Sequence, residues 1–180
     1  MKKILSLLLL LSTLFAFVSC DMTTPTTTEE NSSIFWRSGE FIDEFERPTG
    51  EKYIFIVSYG KFTNSSTAES NLKIELQVTK DSFAIMLWEY GNILVTGTSY
   101  GPKNFSITVL DQNEIKHYYS GQMPSYGTRI YIDNLHREDL LSLLNESGEI
   151  KFYIEYSEYT KSSYLFTVST TGFSSLYSQL

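Results

Sequence analysis

The sequence predicts a mainly β protein: an antiparallel β-sandwich or flattened barrel with two short helices near the C-terminus. Three observations predict this class. Apolar residues alternate with polar ones over several stretches, turn-forming residues separate these stretches, and only two segments show helical spacing. An alternation with a period of two indicates strands with one buried and one solvated face. Short strands separated by turns are typical of sandwiches and barrels.

The clearest strand is SNLKIELQVTK, and three later stretches alternate in the same way. The inward residues are predicted to be Leu72, Ile74, Leu76 and Val78, then Phe105, Ile107 and Val109, then Phe152, Ile154 and Tyr156, and finally Tyr164, Phe166 and Val168. Two runs, Tyr53 to Val57 and Phe83 to Trp88, are apolar at every position. Such runs predict central strands that are covered on both faces.

Clusters of Gly, Pro, Asn and Asp predict the turns between these strands. They stand at Pro48 to Gly50, Thr79 to Asp81, Tyr90 to Asn92, Gly101-Pro102, Asp111 to Asn113 and Pro124 to Gly127.

Two segments show helical spacing. In DNLHREDLLSLLNESG, Asn134 is a possible cap, a broad leucine face follows, and Gly148 is a stop signal. The leucines of this face are Leu140, Leu141, Leu143 and Leu144. The C-terminal segment places Phe173, Leu176, Tyr177 and Leu180 on one side of a helix. We expect both helices to cover the ends of the sandwich.

The N-terminus predicts export. Two lysines precede an apolar run from Ile4 to Val18, and the small Ser19 follows. This run is shorter than the roughly 18 or more residues of a membrane span, so it indicates a secretory signal peptide.

The box Phe17-Val18-Ser19-Cys20 resembles the processing site of bacterial lipoproteins. The resemblance implies that residues 1–19 are removed and that Cys20, the only cysteine, becomes the lipidated first residue. Two or three acyl chains would give a lasting membrane anchor. The remaining chain can form no internal disulfide, so its stability must come from the core.

The segment after Cys20 is rich in threonine and has no apolar periodicity. We therefore predict a flexible tether over residues 20–33 and one folded domain over 34–180.

The composition is acidic, with 14 Lys+Arg against 21 Asp+Glu and a formal net charge of −7. Loss of Lys2 and Lys3 with the signal peptide makes the charge two units more negative. An acidic surface repels phosphate backbones, so we do not expect the protein to bind nucleic acid. The same field disfavours anionic lipid headgroups, which leaves the acyl chains as the membrane contact.

The order of elements, from Trp36 to the closing YLFTVSTTGFSSLYSQL, resembles β-sandwich envelope proteins of the invasion-associated-locus-B type and accessory proteins of type VI secretion. In these families a final Phe-rich strand leads into a glycine turn and a short helix. The resemblance implies the same architecture and a role in the cell envelope, and it assigns no functional residue.

The stretch GTSYG, residues 97 to 101, matches the Gly-x-Ser-x-Gly pattern of serine hydrolases. A nucleophile elbow needs a helix after Ser99, whereas a strand is predicted there, so a hairpin connection is the preferred interpretation. Ser99, His117 and Asp111 form the only arguable catalytic trio. We therefore expect no enzymatic activity, with a small serine hydrolase as a distant alternative.

Metal and cofactor sites are not expected. Glu114 and His117 are three residues apart, a spacing that suits a helix and not a strand. Calcium is an alternative at the oxygen-bearing residues near the first helix, Asp133, Asn134, Glu138 and Asp139, but no EF-hand loop is present and a solvated helix start explains them.

The chain is rich in aromatic residues, with 13 Tyr, 12 Phe and 2 Trp. Seven tyrosines gather in the later strands and loops: Tyr118, Tyr119, Tyr126, Tyr153, Tyr156, Tyr159 and Tyr164. Exposed tyrosines suit protein or glycan contacts. Cross-strand pairing that stabilises the sheet is the alternative. The predicted binding residues are Tyr118, Tyr119, Tyr126, Tyr153 and Tyr159.

We therefore predict a non-enzymatic, lipid-anchored binding module of the bacterial cell envelope. Its partners are the membrane, through the lipid anchor, and an unidentified protein or glycan. The outer membrane or cell surface is favoured over the inner membrane. The alternative is an accessory structural subunit of an envelope complex, such as a secretion apparatus or a surface protease complex.

Overall fold

The computed structural model describes residues 35–146, 148–156 and 161–180, in which ten strands and two helices are found. The strands are β1 (Arg37–Ile42), β2 (Pro48–Asn64), β3 (Thr67–Val78), β4 (Phe83–Glu89), β5 (Ile93–Leu94), β6 (Lys103–Leu110), β7 (Lys116–Met123), β8 (Ile130–Ile132), β9 (Glu149–Tyr156) and β10 (Ser162–Ser169). The helices are α1 (Asn134–Asn145) and α2 (Phe173–Tyr177). The predicted signal peptide, the tether with Cys20, and Tyr159 lie outside the described residues.

Eight of the strands close into a barrel. Within the part of the chain that the structure describes, the order is β2–β10–β9–β6–β7–β8–β4–β3, and β3 pairs back with β2. All these pairings are antiparallel. Strands β1 and β5 pair with β2 and β4 outside the ring. The mainly β class with two short helices is confirmed, and the sheet is a closed barrel rather than two stacked sheets.

Strand β2 makes the closure possible. It is 17 residues long and pairs along one edge with β3, and along the other with β1 and then β10. Gly60 permits the approach of β10, because a Cβ atom there would lie 2.2 Å from the carbonyl oxygen of Leu165. Alternation identifies the two faces of each strand but not which edges pair, so the sequence pattern fits a sandwich and a barrel equally.

The predicted inward faces of the alternating strands are confirmed, because all of their apolar residues belong to the buried core. The run Tyr53 to Val57 differs from its prediction. Ile54 and Ile56 are buried, but the other three residues are only half-buried because they point out of the barrel. The second run is buried from Phe83 to Leu87, whereas Trp88 is half-buried.

The helices cover the core as predicted. The four leucines of the predicted face of α1, Leu140, Leu141, Leu143 and Leu144, are buried in the core cluster. In α2 the Phe173 side chain is 0% exposed, and its ring lies 4.8 Å from that of Trp36, measured between centroids. The indole N–H of Trp36 donates to the Ser169 carbonyl at 2.9 Å. These contacts close the end of the barrel at which β9 begins and β10 ends.

Arg137 connects α1 to the turn between β3 and β4. Its guanidinium donates to the carbonyl oxygen of Thr79 at 3.2 Å and to that of Lys80. The side chain is buried although it is charged, because these carbonyls and Glu138 provide its partners. The sequence analysis did not identify this residue.

The start of α1 differs in detail from the prediction. Asn134, the predicted cap, is the first helical residue, and Asp133 stands in the cap position without a side-chain capping bond. The Asp133 carboxylate instead accepts a hydrogen bond from the Ser120 hydroxyl of β7. The helix ends at Asn145, shortly before Gly148.

One predicted turn is wrong and another was missed. Residues Pro48 to Gly50 begin β2, and the chain reverses earlier, where Asp43 accepts a bond from the backbone N–H of Arg47 at 2.9 Å. The missed turn joins β2 to β3, where the Asn64 side chain accepts from the N–H of Ser66 at 2.9 Å.

Candidate functional site

A row of large exposed side chains crosses the outer surface of the barrel. Thr108 of β6 lies directly opposite Tyr118 of β7 on one side and opposite Tyr153 of β9 on the other. Tyr153 in turn faces Leu165 of β10. The exposed fractions are 69% for Tyr118, 37% for Tyr153 and 45% for Leu165. Strands β7, β6, β9 and β10 therefore place two tyrosines and a leucine in one line across the sheet.

Three lysines flank this row. Leu110 of β6 lies opposite both Lys116 and Lys151, and Lys61 of β2 lies opposite Leu165. All three lysines are exposed. We call Tyr118, Tyr153, Leu165, Lys61, Lys116 and Lys151 together the tyrosine–lysine face.

The sequence analysis missed the lysines of this face because they are far apart in the chain. A signal was nevertheless present, since Lys116-His117-Tyr118 and Lys151-Phe152-Tyr153 are the same Lys-x-Tyr pattern. In a strand, residues two apart point to the same side. Both β7 and β9 pair antiparallel with β6 in matching register, so the two patterns run side by side, two strands or about 9.6 Å apart.

Tyr153 is held within the face by Glu155, whose carboxylate accepts a hydrogen bond from the tyrosine hydroxyl at 2.9 Å. Partial burial, followed by this hydrogen bond, raises the pKa of Tyr153. The hydroxyl therefore stays protonated at neutral pH and serves as a hydrogen-bond donor.

Tyr119 and Tyr126, the other predicted binding tyrosines that the structure describes, do not join this face. Tyr119 points into the barrel, is 6% exposed, and donates its hydroxyl to Asp139 of α1 at 2.6 Å. Its prediction as an exposed contact residue is therefore not met, because neighbouring residues of a strand point to opposite sides. Burial, and then Asp139, raise the pKa of Tyr119. Tyr126 is 75% exposed but lies in the turn between β7 and β8.

Ser99 does not meet the other members of the hydrolase trio. It lies in a tight turn closed by a bridge between Thr98 and Gly101, just before the start of β6. Asp111 and His117 lie at the far end of the same strand pair. Eight residues of strand separate the two places by roughly 25 Å. The stretch is a tight turn, but it is not the predicted hairpin connection, because β5 before it pairs with β4 while β6 after it pairs with β7 and β9.

Asp111 has a structural partner in His117. The His117 Nε2 atom lies 3.1 Å from the Asp111 carboxylate, which also accepts the backbone N–H groups of Asn113 and Ile115. The Ile115 bond, with the His117 and Asn113 bonds, lowers the pKa of Asp111. The group fixes the turn between β6 and β7.

The acids near the start of α1 are each engaged by a neighbour. Asp133 accepts from Ser120, Glu138 pairs with Arg137, and Asp139 accepts from Tyr119. Within residues 35–146, 148–156 and 161–180, no group of three or more His, Asp or Glu side chains is arranged to hold a metal ion.

A cavity of about 300 Å³ opens at the end of the barrel opposite the helices. Its inner wall is aromatic, formed by Phe105, Tyr156 and Tyr164, and Ile93, Leu94 and Val95 form one side. Glu89 at the end of β4 and Lys103 at the start of β6 bring charges of opposite sign to the lining. The sequence analysis did not predict this site, because its residues come from four separate parts of the chain.

Comparison of the chain with protein-family models, with curated proteins and with solved structures gives no match. Among the helices that the structure describes, none has the length and apolar character needed to span a bilayer.

Proposed function

We propose that this protein is a non-enzymatic, lipid-anchored protein of the bacterial cell envelope that binds an acidic protein surface through its tyrosine–lysine face. The observation that carries the proposal is the alignment of Tyr118, Tyr153 and Leu165 in one exposed row across four strands. Isolated exposed apolar side chains are ordinary on any protein, but a contiguous row marks an interaction surface.

The chemistry of the row suits a protein partner. Tyrosine gives a large contact area with little loss of conformational entropy, and it is enriched at protein interfaces. Leu165 adds an aliphatic centre next to the ring of Tyr153. Large central side chains within a polar surround are the arrangement that carries most of the binding energy in such interfaces.

The lysines indicate the charge of the partner. The whole chain has a formal net charge of −7, yet Lys61, Lys116 and Lys151 gather around the row while Glu155 is engaged by Tyr153. A local positive region on an acidic protein favours an acidic partner.

An affinity capture tests the proposal. The full-length chain, tagged at its C-terminus, is isolated from cells of its own organism after gentle detergent extraction, and the co-purified proteins are quantified. Removal of an interface aromatic typically costs about 2 kcal/mol, or roughly thirtyfold in affinity. We therefore expect Tyr118→Ala with Tyr153→Ala to deplete one acidic protein, whereas Tyr100→Ala, which removes a 90% exposed ring from the Ser99 turn, should not.

The charge of the face is tested separately. Lys116→Gln with Lys151→Gln should weaken recovery of the same protein and reduce the dependence of binding on salt, because exposed charges are screened within about 10 Å at 0.1 M salt. Equal recovery with the two tyrosine replacements and with wild type would contradict the proposal.

A second candidate function, an accessory subunit of an envelope complex, is favoured by the hairpin of β1 and β2. Nearly every residue from 40 to 51 is exposed, including Ile42 at 63% and Phe45 at 67%. The Arg47 guanidinium lies 5.1 Å from the Phe45 ring centroid. This hairpin offers an apolar tip with acidic flanks, and exposed apolar side chains rimmed by polar residues are typical of contact sites for other proteins.

A further inference from the structure

The two ends of the barrel are built differently. Trp36, α1 and α2 close one end with buried apolar side chains. At the other end the cavity of about 300 Å³ reaches the buried rings of Phe105, Tyr156 and Tyr164. Barrels of eight strands have an interior just wide enough for side chains or for one small ligand. The open end of this barrel is therefore a place where a small molecule can contact the core.

The inner part of the cavity wall is aromatic, whereas Asn64, Ser65, Thr96 and Ser162 add polar groups to the rest of the lining. The ring of Phe105 lies 5.4 Å from that of Tyr156, and Phe62 stacks behind Tyr164 at 6.4 Å, both between centroids. Each of these three lining rings is at most 6% exposed. They belong to β6, β9 and β10, so the strands fix their positions. Such a wall takes an aromatic or branched aliphatic group of a ligand.

Glu89 supplies a fixed negative charge. Its two carboxylate oxygens accept hydrogen bonds from the Tyr164 hydroxyl at 3.0 Å and the Asn64 amide at 3.3 Å. A carboxylate has about four acceptor positions, so these bonds orient the group and leave capacity for a donor from a ligand. Burial, and then Glu89, raise the pKa of Tyr164, so its hydroxyl remains a donor to Glu89.

Lys103 supplies the positive charge. Its ammonium donates to the carbonyl oxygen of Thr96 at 2.8 Å and lies 5.3 Å from the ring centroid of Tyr156. An ammonium has three donors, and the Thr96 bond uses one of them. Among the ion pairs of the described residues, none joins Lys103 to Glu89. The two charges therefore line one cavity without neutralising each other by direct contact.

We propose that this cavity binds a free α-amino acid with an apolar side chain. Lys103 holds the carboxylate of the ligand, Glu89 accepts its ammonium group, and the aromatic wall takes its side chain. The volume fits this class, because a water molecule occupies about 30 Å³ of liquid and the cavity thus holds on the order of ten non-hydrogen atoms. The site is separate from the tyrosine–lysine face and does not depend on the function proposed for that face.

Calorimetric titration of the full-length chain in mild detergent tests the proposal with three related ligands. L-phenylalanine carries both charges, phenylethylamine lacks the carboxylate, and 3-phenylpropionate lacks the ammonium group. We expect phenylalanine to bind at least about tenfold more tightly than either analogue, since each loses a charge-assisted hydrogen bond.

Two substitutions assign the charges. Lys103→Gln should remove the advantage of phenylalanine over phenylethylamine, and Glu89→Gln should remove its advantage over 3-phenylpropionate. Lys52→Gln, which changes an exposed lysine of β2 far from the cavity, should leave all three affinities unchanged. No saturable binding of phenylalanine up to about 1 mM, or binding of an analogue as tight as that of phenylalanine, would overturn the proposal.

Discussion

Tyr118 and Tyr119 show that a shift of one residue along a strand moves a side chain from the outer surface of the barrel to its interior. They are neighbours in β7, yet one is 69% exposed and the other 6%. Both were predicted to lie on a contact face, because the inward positions of β7 are Tyr119, Gly121 and Met123, which give no clear apolar alternation. Pairing with β6 settles the orientation, since Ile107, which points inward, lies opposite Tyr119. The pairing of β7 with its neighbouring strand therefore determines which of its side chains point inward, and the sequence of β7 alone does not.

Asp111 provides a residue-scale prediction. Because the folded state lowers its pKa from the usual 3.8, its stabilising contribution is present above about pH 4 and is lost as the pH falls through the lowered pKa. Asp111→Asn should therefore lower the urea midpoint at neutral pH, and the difference from wild type should shrink towards about pH 3.

Asp81→Asn is the matched control, since Asp81 is an exposed carboxyl in the turn between β3 and β4. Its urea midpoint should follow that of the wild type throughout. A difference for Asp111→Asn that grows as the pH falls would contradict the account.

At the scale of elements, α2 is short but anchors one end of the barrel. Its Phe173 ring is fully buried between Trp36 and Tyr177, with centroids 4.8 Å and 5.3 Å away. A helix of five residues has little stability of its own, so this packing holds it in place.

Phe173→Ala should lower the free energy of unfolding by about 3–5 kcal/mol, because it leaves a cavity where an aromatic ring was buried. Phe45→Ala removes the same group from the exposed tip of the β1–β2 hairpin and should change stability by no more than about 0.5 kcal/mol. Urea unfolding followed by tryptophan fluorescence measures both. Similar losses for the two variants would contradict the structural role of α2.

Most strands and both helices could be predicted, because their buried residues repeat at a period of two or at helical spacing. The pairing of β2 with both β3 and β10 could not, because it joins residues far apart in the chain through backbone hydrogen bonds that carry little side-chain signature. The same reason hid Arg137, whose partners are backbone carbonyls of another element. The tyrosine–lysine face and the cavity were likewise assembled by pairing, from residues that local patterns treat separately.

At the scale of the whole molecule, the proposed lipid anchor at Cys20 falls outside the described residues and needs a test of its own. If Cys20 carries the lipid, Cys20→Ser should abolish incorporation of an alkyne-labelled fatty acid and move the protein from the membrane fraction to the soluble fraction. Two or three acyl chains hold a protein lastingly at a membrane. Without acyl chains, the acidic surface of the protein is not attracted to anionic lipid headgroups, so the variant should be released. Labelled protein in the Cys20→Ser variant would contradict the anchor.

The side of the membrane on which the barrel lies is tested by protease treatment of intact cells, with permeabilised cells as the control. Degradation in intact cells is expected if the barrel is displayed at the cell surface. Protection until permeabilisation would instead place it in the periplasm, and the partner of the tyrosine–lysine face would then be sought there.

The most direct test of the central claim is site-specific photo-crosslinking in living cells. A photoreactive amino acid replaces Tyr118 in the tyrosine–lysine face, Phe45 at the hairpin tip, or Tyr100 in the remote turn. The account predicts that position 118 captures one acidic protein, that the product is lost with Lys116→Gln and Lys151→Gln, and that position 100 captures none. Crosslinks at position 45 without any at position 118, or the same products at positions 118 and 100, would contradict it.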